Sequence, residues 1–116
     1  MSSLLIVEDS FDVAEALQEI FVAEGFDVRI ASDGREGLAL IREQLPDLVV
    51  TDFMMPFMDG LALVQEIRSD PALAQLPVIV MSAARPTLSL DPCTTFIGKP
   101  FDFDKIIKLV NHILQK

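Results

Sequence analysis

The chain has 116 residues, 51% of them apolar, and carries a formal net charge of −9. That length suits one domain, residues 1–116, with a core of its own, and the composition excludes a disordered or repetitive chain. The acidity argues against nucleic-acid binding by this chain, because phosphate contacts need Lys and Arg; it suits a basic or mixed-charge protein partner.

Taken in order, the first apolar run, Leu4-Leu5-Ile6-Val7, reads as a strand that ends in Glu8-Asp9. Residues 11–24 carry Val13, Ala16, Leu17, Ile20 and Phe21 at helical spacing, with Gly25 as the stop. A strand over 26–31 leads to the turn and cap Ser32-Asp33-Gly34. A second helix with Leu38, Ile41 and Leu45 inward follows, closed by Pro46. Leu48-Val49-Val50-Thr51 is the next strand, ending in Asp52. Asp59-Gly60 opens a helix with Leu61, Val64 and Ile67 on one face, ending near Asp70-Pro71. Val78-Ile79-Val80-Met81 ends in Ser82, and Thr95-Phe96-Ile97-Gly98 ends in Lys99. Asp102 caps a last helix with Phe103, Ile106, Ile107, Val110 and Leu114 inward.

The segment Ala83–Thr94 breaks this rhythm. It holds Pro86 and Pro92 and is barely long enough for a parallel crossover. One or two turns near 86–91, in otherwise irregular chain, are expected there.

Strands alternating with helices predict an α/β fold with a parallel sheet covered on both faces. Ligands of such sheets bind beyond the carboxyl ends of the strands, where strand order reverses. Glu8, Asp9, Asp52, Ser82 and Lys99 all fall at such ends. Asp9 and Asp52 side by side would repel unless a cation intervened, and a few carboxylates suit Mg²⁺. Lys99 can pair with a leftover carboxylate or with a phosphoryl oxygen, and Ser82 can donate to that same oxygen. A carboxylate nucleophile flanked by metal and ammonium is a layout for accepting a phosphoryl group.

The single cysteine, Cys93, precludes an internal disulfide and is read as a small half-buried residue in a reducing compartment. No apolar run approaches the ~18 residues of a membrane span, and no basic leader precedes the first one. A cytoplasmic location away from membranes is expected.

Four elements, Ile6-Val7-Glu8-Asp9, the segment Asp52 to Gly60 (DFMMPFMDG), Met81-Ser82-Ala83 and Lys99-Pro100-Phe101, carry a resemblance over essentially the whole chain. The chain resembles the receiver domain of two-component response regulators. The resemblance implies a doubly wound, flavodoxin-like five-stranded sheet of order 2-1-3-4-5, here with a shortened or irregular fourth helix. It implies that Asp52 is the phosphoacceptor, charged by a phosphohistidine on a histidine kinase or phosphotransfer protein. Asp9, Asp52 and the Met54 backbone carbonyl would ligate Mg²⁺, with Glu8 acting through a metal-bound water. Ser82 and Lys99 would hold the phosphoryl oxygens, Ser82 and Phe96 would form the switch, and Lys99-Pro100 would be cis. The only catalysis implied is self-phosphorylation and self-dephosphorylation.

Beside Asp52, the loop residues Met54, Met55, Phe57 and Met58 read either as a contact surface or as a partly buried loop. Met54 and Ala84, two residues beyond Asp52 and Ser82, offer no side chain to orient water, so a long-lived phosphoryl group is expected. The same Met54 argues against an aspartyl phosphohydrolase or phosphomutase, whose second Asp stands at that position. A degenerate receiver that binds its partner without phosphate is the remaining alternative. The altered segment 83–94 puts signalling through the usual output face in question, though not phosphorylation.

Overall fold

The computed structural model describes residues 2–83 and 91–115. Its elements, in chain order, are β1 (Ser3–Val7), α1 (Phe11–Ala23), β2 (Asp27–Ala31), α2 (Gly34–Glu43) and β3 (Leu48–Asp52). There follow α3 (Gly60–Ser69), β4 (Val78–Ser82), β5 (Thr94–Gly98) and α4 (Phe103–Leu114). The expected turns near 86–91 and the shortened or irregular fourth helix fall, up to residue 90, on residues 84–90, which lie outside the described residues.

All strands pair in parallel, in the order β2-β1-β3-β4-β5. The central strands β3 and β4 are buried at every residue, while the edge strands β2 and β5 are mostly half-buried. Their unbroken runs of Val, Ile and Leu are what burial on both faces requires.

Alternate strand residues feed two cores. Leu4, Ile6, Leu48, Val50, Ile79 and Met81 pack against Leu17 and Phe21 of α1 and Ile106 and Val110 of α4. Leu5, Val7, Val49, Val78 and Val80 face Leu38 and Ile41 of α2 and Leu63, Val64 and Ile67 of α3. Phe21 and Phe26 meet edge to face, with centroids 5.7 Å apart, where α1 returns into β2.

Helix starts follow the capping signals. Asp33 accepts from the Glu36 N–H at 2.9 Å, Asp59 from Ala62 at 2.8 Å and Asp102 from Lys105 at 2.7 Å. Glu36 also accepts from the Ser32 N–H at 2.7 Å, so the start of α2 is tied from both sides.

Three residues expected inward point outward. Val13 is exposed because α1 turns Ala14, Leu17 and Phe21 to the sheet, one position round from the expected stripe. Leu45 is exposed because α2 ends at Glu43, before the periodicity reaches it. Phe103 is the first residue of α4, whose buried residues, Ile106 and Val110, lie further along, and it too is exposed. Leu61 is only half-buried; Leu63 takes its place beside Val64 and Ile67.

Candidate functional site

The order reverses between β1 and β3, the point at which open α/β sheets bind ligands. In that register Val7 pairs with Thr51, so Glu8 follows β1 level with Asp52 at the end of β3.

Backbone contacts from β4 and from the start of α3 fix Asp52. It pairs with Met81 of β4, and the next residue extends the ladder, the Phe53 N–H donating to the Met81 carbonyl at 2.9 Å. The Phe53 carbonyl accepts from Gly60 N–H at 2.9 Å, drawing the start of α3 onto the strand end. Position 60 has to be glycine, since a Cβ there would run into the Asp52 carbonyl oxygen.

Asp52 is 7% exposed, and Lys99 Nζ donates to its Oδ1 at 2.5 Å. Lys99 is placed by β5, and its own N–H donates to the Ser82 carbonyl at 2.7 Å, so the ends of β4 and β5 stay joined. The Lys99–Pro100 peptide is cis. Ser82 closes β4 and is buried. Phe96 sits opposite Val80, half-buried against the core shared by α2 and α3.

Glu8 is more deeply buried than Asp52, at 3% exposure. Its N–H donates to the Ala31 carbonyl of β2 at 3.0 Å, and its Oε2 accepts from Ser10 N–H at 3.2 Å. Its Oε1 is buried without a hydrogen-bond partner and lies 4.0 Å from Lys99 Nζ. Burial pushes the carboxyl up to about 7; the bond from Ser10 opposes the shift, Asp9 and the Asp52 charge add to it, and Lys99 offsets part. Asp9 is exposed beside it.

Glu8, Asp9 and Asp52 each bring one carboxylate oxygen to within 4.8 Å of the others. A buried acceptor with nothing to accept from calls for a missing partner. Three hard oxygen donors around it fit a divalent cation such as Mg²⁺.

Five of the expected site residues, Glu8, Asp9, Asp52, Ser82 and Lys99, therefore meet at one sheet edge. Phe96 lies one strand away, and Met54 heads the connection from β3 to α3. In that connection Met55 and Met58 pack on the core, as the reading of a partly buried loop expects, whereas Met54 and Phe57 are exposed. An open hollow lined by Val13, Ala83, Lys99, Pro100, Phe101 and Phe103 adjoins Lys99, and two of the three outward-facing apolar residues, Val13 and Phe103, stand in its wall.

Two arginine contacts near this frame escaped the sequence reading. Arg68 donates to the Leu76 carbonyl at 2.7 Å, to Asp91 Oδ2 at 2.9 Å and to Thr94 Oγ1 at 3.0 Å. It thereby ties the end of α3 to the start of β5. Arg35 stacks on the Phe57 ring, 4.6 Å from its centroid. The spacing of either pair along the chain carries no local signal; only an arginine in the last turn of α3, where cations suit the helix dipole, hinted at the first.

Comparison with known proteins converges on one family. The family model described as response regulator receiver domain matches residues 4–111. The chain is similar to response regulator Rre1 of Synechocystis, 33% identical over 98% of this chain and 52% of that protein. It is similar in structure to the receiver domain of the Francisella response regulator 1452, with TM-score 0.89, 31% identity and coverage of 99% and 98% of the two chains. It is also similar to the signal receiver domain of a histidine kinase from Syntrophus aciditrophicus, with TM-score 0.87, 31% identity and coverage of 99% and 91%. The chain spans about half the length of the curated relatives it matches.

Proposed function

The chain belongs to the response regulator receiver domain family, and on that premise we propose that Asp52 is its phosphoacceptor. The observation that carries this is the surroundings of Asp52: a buried carboxylate that accepts a bond from Lys99, next to a buried Glu8 oxygen left without a hydrogen bond.

The donor is a phosphohistidine on a histidine kinase or phosphotransfer protein. An Asp52 carboxylate oxygen attacks phosphorus, the P–N bond breaks, and the electron pair returns to the imidazole. Glu8, Asp9, Asp52 and the Met54 carbonyl are the groups that would hold Mg²⁺, Glu8 through a water. Bound there, the cation supplies positive charge to the phosphoryl oxygens. Lys99 shifts its ammonium from Asp52 Oδ1 toward an incoming oxygen, so charge is already in place where it develops. Ser82 donates to another oxygen, and Phe96 follows Ser82 as the switch. In dephosphorylation, water attacks phosphorus, the P–O bond to Asp52 breaks, and inorganic phosphate leaves, restoring the carboxylate.

The partners are proteins rather than nucleic acid, consistent with the charge of −9. Among the described residues no helix is long and apolar enough to cross a membrane. A cytoplasmic setting and a single receiver domain over 1–116 complete the reading.

Incubation with acetyl phosphate and Mg²⁺, followed by intact mass, tests it. Wild type is expected to gain one phosphoryl group, and to gain none after chelation or in Asp52→Asn. Absence of the adduct in wild type would favour the phosphate-independent binding module.

A further inference from the structure

Two choices in this chain run against local preference, and they touch each other. Phe57 has φ 68°, a conformation in which a bulky side chain is strained. The Met58 N–H donates to the Pro56 carbonyl at 2.8 Å, closing a γ-turn on Phe57, the rare and strained kind with positive φ. The Phe57 ring is also 78% exposed, so core burial does not compensate. Arg35, its stacking partner, is the second residue of α2, a cation at the helix end where the macrodipole is positive. Among the described residues Arg35 has no carboxylate partner. A second tie lies alongside: Gly34 N–H donates to the Met58 carbonyl at 3.2 Å, and a Cβ on Gly34 would sit 2.8 Å from Met58 Cβ. The connection that leaves Asp52 is thus held to the first turn of α2 at two adjacent points. Local violations that meet in one contact mark a device kept for function.

We infer that the Arg35–Phe57 stack is a clamp that fixes the 53–59 connection, and with it the Met54 carbonyl, against the acid cluster. Arg35 and Phe57 are then positioning residues for cation binding and phosphoryl acceptance. This rests on the reading of Glu8, Asp9 and Asp52 as a cation site. The clamp acts on the loop's conformation: with the stack broken, the strained turn relaxes and the carbonyl leaves its place.

A double-mutant cycle tests the clamp, with Mn²⁺ as the probe and free Mn²⁺ followed by electron paramagnetic resonance in unphosphorylated protein. Arg35→Gln and Phe57→Leu are each expected to weaken Mn²⁺ binding by about two- to fivefold. The double variant should be no weaker than the worse single one, because both changes remove one contact. Arg35→Lys should recover part of the loss, since an ammonium also stacks on a ring. Phe57→Gly adopts the turn without strain, so its urea midpoint should hold or rise while Mn²⁺ affinity still falls. Unchanged affinity in both single variants, or losses that multiply in the double, would overturn the clamp alone. Wild type that binds no Mn²⁺ would overturn the cation site and the clamp with it.

Discussion

At the scale of single residues, Glu8 and Lys99 divide the electrostatic work around Asp52. Lys99 sets its ammonium against the carboxylate proposed as the nucleophile, while Glu8 stays buried with one oxygen unsatisfied. Lys99→Gln should leave Mn²⁺ binding intact yet slow acetyl phosphate transfer by about a hundredfold, read as the initial rate of adduct formation. Glu8 makes the metal-free protein pH-sensitive in an unusual direction. Its native pKa of about 7 exceeds the ordinary 4.5, so between those values the folded state binds more protons than the unfolded one. Stability is therefore expected to fall as pH rises from about 4.5 to about 7. Urea midpoints across that range should show the decline in wild type and lose it in Glu8→Gln. Cation affinity should rise over the same interval, because binding requires the ionised carboxylate.

At the scale of elements, the ends of strands and helices set the site, and that is the part most legible in the sequence. Asp33, Asp59 and Asp102 announced their helices because a cap is a local bond, three residues from its partner. The strands were legible because burial on both faces demands unbroken apolar runs. Helix faces were less so. Periodicity marked Val13, Leu45 and Phe103 as inward, but it cannot say where a helix starts or stops or how it is turned on the sheet. Arg68–Asp91–Thr94 and Arg35–Phe57 were invisible, since each joins distant segments that only the fold brings together. The first of these pins β5 and so the strand that delivers Lys99. Partial burial works against the Asp91 charge. Bonds from Thr94 and Arg68 and from the Cys93 N–H, with the charge of Arg68, nevertheless hold its carboxyl below the usual range. That contribution is present above about pH 4 and is lost as pH falls through the lowered value. Arg68→Leu should lower the urea midpoint at pH 7, and Asp91→Asn should blunt the loss of stability on acidification below pH 4, followed by circular dichroism.

At the scale of the whole molecule, the sheet is a rigid bar that brings acids from β1 and β3 and a lysine from β5 to one edge. The five residues of the proposed site were readable because each stands at the end of an apolar run. The buried Glu8 oxygen without a hydrogen bond adds to the cation already suggested by the paired acids, and it could be found only in the fold. A ligand that binds the folded state alone raises its stability, so Mg²⁺ at about a hundred times its dissociation constant should add about 2.7 kcal/mol. A thermal scan with and without Mg²⁺ should show this shift in wild type, and Asp9→Asn should greatly reduce it. The apolar Met54, exposed beside Asp52, leaves attacking water without an orienting group. The phosphoryl group should accordingly outlast a half-life of seconds after the donor is removed.

The most direct measurement places the phosphoryl group on its atom. Borohydride reduces an acyl phosphate of aspartate to homoserine, which sequencing by mass spectrometry locates. After acetyl phosphate and Mg²⁺, the tryptic peptide 43–68, which holds Asp47, Asp52 and Asp59, is expected to carry homoserine at position 52 alone. Homoserine at position 47, 59 or 9 instead, or none anywhere, would contradict Asp52 as the phosphoacceptor.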